Sequence, residues 1–181
     1  MRDICYLHGF VERRRRDNTT EKFVYTFADS ATQEAEKAAF AEALGYFEEC
    51  RPCAIYYYSK YERTTYRNLA EKYPDVCDTE HIEALFDPAN SIDLYNDLVK
   101  KSTEWPTIDY SIKSLAKYLK FSWRDTHPSG AASIEWFNRW IESGDPEIRQ
   151  RILDYNEDDC RAMRVLRDAL DRLPVLPNGF Q

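Results

Sequence analysis

The sequence predicts an α/β domain, a small mixed sheet flanked by helices. Three observations carry that expectation. Short runs rich in β-branched and aromatic residues stand at 3–11 (DICYLHGFV), 23–27 (FVYTF) and 54–58 (AIYYY), and such runs read as strands. Longer stretches with apolar residues at helical spacing separate and follow them. The resulting order is strand, strand, helix, strand, helix and then mostly helices, which is how a sheet comes to be covered on its faces.

The elements follow in order. Residues 3–11 and 23–27 form a hairpin with a longish polar connection. Ser30 is the expected N-cap of a helix at 32–49, with Phe40, Leu44 and Phe47 on one face. The short buried strand at 54–58 runs directly into a helix at 61–73. Its inward stripe is Glu62, Tyr66, Leu69 and Tyr73. A short helix is expected near 80–86. Residues 91–101 (SIDLYNDLVKK) start extended and end helical, with Asp93 between Ile92 and Leu94. A helix at 111–119 carries Ile112, Leu115 and Leu119 on its apolar face and Lys113 near its start. The loop 121–130 (FSWRDTHPSG) is dense in groups able to touch a ligand. A helix at 131–142 carries Trp136, Phe137 and Trp140. Asp145 and Pro146 then open the last helix as N-cap and first residue.

That last helix organises the chain. Ile148, Ile152, Tyr155, Ala162, Met163, Leu166 and Leu170 recur at helical spacing, the buried stripe of an amphipathic helix. Asp159 falls on the same stripe, one turn after Tyr155. A carboxylate facing a core is costly unless a metal ion, an Arg or Lys, or main-chain N–H groups compensate it. Spacing alone also fits an acid satisfied at the core's edge. Glu62 is a second acid on an inward stripe, in the first turn of a helix that follows a strand. The C-terminal ends of strands are where α/β sheets keep their sites. The helix dipole equally favours an acid there.

Composition narrows the class. A chain of 181 residues is one domain, expected at 1–172, with a tail at 173–181 that holds two prolines and a glycine. No apolar run approaches the roughly 20 residues of a membrane span, and no stretch reads as a signal peptide. Five cysteines, at 5, 50, 53, 77 and 160, are an odd and scattered set. They fit a reducing cytoplasm better than a disulfide framework. Cys50 and Cys53 form a CxxC with no second pair and no matching His, so they read as structural. A net charge of −7 argues against a broad electrostatic footprint for duplex nucleic acid. It leaves room for an enzyme that holds nucleic acid through metal ions and a few local contacts. The basic run from Arg13 to Arg16 reads as a solvated loop.

The stretch from Tyr155 to Cys160, Y-N-x-x-D-C, resembles the third motif of the RNase H-like 3′–5′ exonucleases, in the subgroup with tyrosine. YLHGF at 6–10, AIYYYSKYE at 54–62, IDLY at 92–95 and YSIKSLAKYL at 110–119 are similar to one branch, the YprB-type RNase H-like domain of RecB-like nucleases. The resemblance runs from about Asp3 to Leu170. It implies an RNase H-like fold and a nuclease that hydrolyses phosphodiester bonds of DNA or RNA with two Mg²⁺ or Mn²⁺ ions. Hard divalent ions take oxygen ligands, hence acids in place of His or Cys. Carried over, Asp159 and Glu62 are metal ligands and Tyr155 orients the attacking water. Lys113 is a phosphate contact and Asp93 an acid behind the ligands.

One departure shapes the functional expectation. The resembled family carries a D-x-E on its first, central strand, and no such motif stands here; Asp3-Ile4-Cys5 has the Asp without the Glu. The expectation is an N-terminally truncated domain, inactive as this chain and completed by a longer natural protein. The other class is a non-catalytic module that keeps the fold to bind nucleic acid or a partner. The expected partners are a single-stranded end of DNA or RNA, other domains of a longer chain, and a second copy paired through sheet edges.

Overall fold

The structure is a computed structural model that describes residues 4–15, 17–126 and 129–173. Strands β1 (Leu7–Glu12) and β2 (Lys22–Phe27) form an antiparallel hairpin, in register from Leu7 against Phe27 to Glu12 against Lys22. Asp3 lies outside the described residues, and β1 begins later than the run at 3–11 suggests. Tyr6 still accepts a main-chain bond from Ala28, at 2.8 Å. Helix α1 (Gln33–Glu49) follows. Its N-cap is Thr32, whose Oγ1 accepts the Ala35 N–H at 3.2 Å. Ser30 does not cap it. It lies two residues too early and bonds the Thr32 hydroxyl instead, at 3.0 Å.

Strand β3 (Ile55–Tyr57), helices α2 (Tyr61–Lys72) and α3 (Thr79–Leu85), and strand β4 (Ser91–Asp93) come next. β3 and β4 run parallel, Ile55 against Ser91 and Tyr57 against Asp93. Beyond β4 the chain makes a π-helical stretch (Leu94–Val99) that passes into α4 (Lys100–Ser102). The helical end of 91–101 is therefore wider than an α-helix. Helices α5 (Ile112–Tyr118), α6 (Gly130–Ser143) and α7 (Pro146–Leu170) complete the fold. Ser111, Ser129 and Asp145 cap them. Gly144, at φ 67°, makes the left-handed turn that separates α6 from α7. Pro174 and the rest of the tail lie outside the described residues. Among the described residues no helix is long and apolar enough to cross a membrane.

The sheet departs from expectation. Two separate two-stranded sheets stand where one mixed sheet is predicted. Among the described residues β1 pairs only with β2, and β3 only with β4. Antiparallel pairing alternates the direction of main-chain groups. Because Tyr6 faces Ala28, the groups of Leu7, Gly9 and Val11 point to the opposite edge of β1. A ladder needs a partner strand about 4.8 Å away, and no described strand sits against that edge.

Three apolar clusters fill the core. Phe40, Phe47, Tyr66, Ile82 and Phe86 lie between α1, α2 and α3. Trp136, Phe137, Ile152 and Tyr155 join α6 to α7, and Val99, Leu115 and Leu166 join the π-helical stretch and α5 to α7. Helix α7 also lies directly on β1. A Cβ on Gly9 would fall 1.7 Å from Asn156 Oδ1, so the close approach depends on glycine. The basic run is not wholly solvated. Arg13 reaches across to the Asp168 carboxylate on α7 with two bonds of 2.7 and 2.6 Å and is nearly buried. Arg14 is exposed, and Arg16 lies outside the described residues.

Candidate active site

The loop between β3 and α2 sets the position of Glu62. Ser59 takes a left-handed conformation, φ 69°, and donates its N–H to Asp93 Oδ1 at 2.9 Å. The same oxygen accepts the N–H groups of Tyr95 and Asn96, both at 3.0 Å, and Oδ2 accepts the Asn96 side-chain amide at 2.7 Å. Asp93 is thus a buried clamp between the ends of β3 and β4. It starts the π-helical stretch and holds the turn from which α2 departs.

Glu62 stands in the first turn of α2. Its Oε2 is buried and has no hydrogen-bond partner. Burial, followed by the charges of Asp93 and Asp159, pushes its pKa up to about 7, although main-chain groups of Glu62 and Tyr58 pull against that rise. The influence of Asp159 brings α2 and α7 to one place. Of the residues expected near a metal or phosphate, Asp159 acts on the Glu62 charge, and Tyr155 and Lys113 act on Asp159. Asp93 sits beside Glu62 with both its oxygens engaged.

Asp159 accepts the Trp123 indole N–H on Oδ1 at 2.8 Å. Burial raises its pKa. Trp123, the Lys113 charge and a hydrogen bond from Tyr155 oppose the rise, and Asp158 adds to it. Tyr155 is buried, its ring edge-on to Trp136 at 6.0 Å. Burial and Asp159 together push its phenol well above the ordinary range. The Lys113 ammonium lies 5.6 Å from the centre of the Tyr155 ring.

Sequence reasoning missed the groups that hold α7 in place. Arg124 binds Asp158 through its main-chain N–H (2.7 Å) and Nε (3.0 Å), and also reaches Asp154 (3.0 Å) and Glu157 (2.8 Å). Arg151 reaches back to Asp125 at 2.6 Å and lies over the Trp136 ring at 4.1 Å. Trp123, Arg124 and Asp125 therefore each engage α7. The available signal was the W-R-D run, followed on α7 by acids at 154, 157, 158 and 159. Asp158, and not Asp159, is the most buried acid of that helix. His127 and Pro128 of the same loop lie outside the described residues.

The arrangement offers two half-buried acids, a tyrosine hydroxyl and a cation. The orphaned Glu62 oxygen fits a hard divalent cation, which takes oxygen donors. Among the described residues no three His, Cys, Asp or Glu side chains gather into a ready cation site. The five cysteines are free.

No curated protein and no solved structure matches the chain. A family model described as RNase_H superfamily matches residues 1–171. With nearly the whole length matched, the chain belongs to the RNase H superfamily.

Proposed function

We propose that this domain is a metal-dependent nuclease of the YprB-type branch, hydrolysing phosphodiester bonds with Glu62 and Asp159 as ligands to Mg²⁺ or Mn²⁺. The observation that carries the reading is the Glu62 carboxylate, one oxygen of which is buried and unpartnered and which is close enough to Asp159 to feel its charge. A buried acid in that state costs stability, which a bound divalent ion offsets. When bound, such ions activate water and stabilise the charged oxygens of an in-line displacement. The chain's own side chains do the rest. Tyr155, hydrogen-bonded to Asp159, orients the attacking water. Lys113 meets a phosphate oxygen. Trp123 fixes the Asp159 carboxylate, and Asp93 holds the turn that presents Glu62.

Two acids are fewer than a two-ion centre needs. In our reading a strand with D-x-E spacing, seated between the edges of β1 and β3 that no described strand pairs, supplies the others. Without it the domain cleaves little. Those edges also fit a second copy of the chain, so sedimentation at micromolar concentration is expected to show a dimer; a monomer rejects that pairing. The decisive test is Mn²⁺ binding at pH 8, measured by calorimetry. Residues 1–181 bind weakly, and Asp159→Asn or Glu62→Gln each lower affinity at least tenfold. Equal binding by all three proteins overturns the site. Once the strand is supplied, Asp159→Asn abolishes cleavage of a labelled single strand and Tyr155→Phe slows it.

A further inference from the structure

We propose that α5 and the turn that closes it form a track for single-stranded nucleic acid leading to the site. Lys113, Lys117 and Lys120 meet successive phosphates, and Tyr118 offers its ring to a base. The track rests on the nuclease reading of the adjoining site. It is argued from charge and exposure.

The chain is acidic overall, at −7, and among the described residues most cations are spent on carboxylates. On α7, Arg161 is tied to Glu21 and Glu157, Arg164 to Glu21 and Asp168, and Arg167 to Asp171. Helix α5 differs. Lys117 and Lys120 are exposed and have no carboxylate partner among the described residues. Lys113 already turns its charge toward Asp159. Lys117 follows one turn later, about 6 Å along the axis. Lys120 stands in the left-handed closing turn, φ 67°, its N–H bonded to the Lys117 carbonyl at 3.0 Å. The row of cations therefore begins at the acids and leads away from them.

An aromatic ring stands beside the row. Tyr118 is 48% exposed, and its ring packs edge-on against Trp105 at 6.0 Å. The Trp105 indole is itself anchored on Thr103 Oγ1 at 2.7 Å. A ring so braced is a stacking surface with little motion left to lose. Lysines that follow a backbone beside rings that accept bases are how single strands are held without sequence preference. Three lysines on an otherwise acidic domain do not make the wide footprint a duplex requires.

The test is fluorescence anisotropy of a labelled oligothymidylate of about fifteen nucleotides, in EDTA, across a series of salt concentrations. Because no metal is present, failure of the metal reading leaves this result untouched. Affinity is expected to fall with salt at about −0.7 in log–log slope per phosphate neutralised. Lys117→Ala with Lys120→Ala lowers that slope by about 1.4, and the charge-reversed Lys117→Glu lowers affinity further. Tyr118→Ala weakens binding roughly tenfold without changing the slope. All of these side chains are exposed, so unchanged circular dichroism is expected in every variant. An unchanged slope in the double variant overturns the track. So does a wild-type chain that does not bind, or one that binds duplex of equal length as tightly.

Discussion

Glu36 on α1, fully buried, and Glu62 on α2, half-buried with one oxygen sealed from solvent, both stand in the first turn of a helix, and they end in opposite states. Burial pushes the Glu36 pKa up. Lys72, Tyr73 and the Cys5 main-chain N–H outweigh that and leave it below the ordinary value. The Cys5 N–H lies at 2.7 Å and the Tyr73 hydroxyl at 2.6 Å, with the Lys72 ammonium completing the set. Glu62 is raised to about 7 with one oxygen unpartnered. Burial is common to both, so the supply of donors decides the charge state. Glu36 has the network of a structural acid. Glu62 keeps one buried oxygen for which the described residues supply no donor.

The largest effect that sharpens this contrast is expected from Glu36→Ala. It strips the Cys5 N–H of its acceptor, leaves the Tyr73 hydroxyl only the Gln33 carbonyl and frees Lys72, and should cost about 3 kcal/mol in urea denaturation. A loss under about 1 kcal/mol would mean that the donors find water easily and that Glu36 is no better served than Glu62.

Next comes Glu62→Gln. The wild-type carboxyl rises from 4.5 to about 7 on folding. The stability this contributes is present below about pH 4.5 and is lost as pH rises through 7, about 3 kcal/mol across the window. His8 works in the other sense. Burial lowers it from 6.5 to about 4, with the Glu36 charge pulling back, so its contribution is present above pH 6.5 and lost as pH falls toward 4. Between about pH 4.5 and 6.5 the two slopes nearly cancel. Glu62→Gln should uncover the His8 slope, with stability rising with pH. It should also exceed wild type by about 1–3 kcal/mol at pH 8. Parallel pH profiles for the two proteins would refute the assignment of Glu62 as an unpartnered acid.

The smallest effect is that of Trp123→Phe, which keeps the aromatic packing against Phe121 and removes the N–H on Asp159. A loss of about 1 kcal/mol is expected, with Mn²⁺ affinity falling in step. Unaltered Mn²⁺ affinity would show that Asp159 is held without Trp123.

The candidate residues were legible where they depend on spacing within single elements. Tyr155 and Asp159 are one turn apart, and Glu62 opens a helix directly after a strand. Asp145 and Pro146 mark the start of α7 by local chemistry alone. Arg13 was misread as solvated because its partner, Asp168, is 155 residues away. Arg124 and the acids of α7 were missed for the same reason, since no local rule pairs a loop arginine with one carboxylate among four. Thr32 displaced Ser30 as a cap because capping depends on which residue leaves the helical path, and both side chains are suited to it.

By itself, then, the sequence determined the order of elements, the amphipathic stripe of α7 and the acids on inward faces, since helical and strand periodicities are properties of neighbouring residues. Only the tertiary structure decided that the strands form two pairs among the described residues, that Asp93 spends one oxygen on main-chain donors and the other on the Asn96 amide, and that one Glu62 oxygen lacks a donor where Glu36 has three. Those outcomes turn on which distant groups arrive within hydrogen-bond reach, and folding in three dimensions sets that.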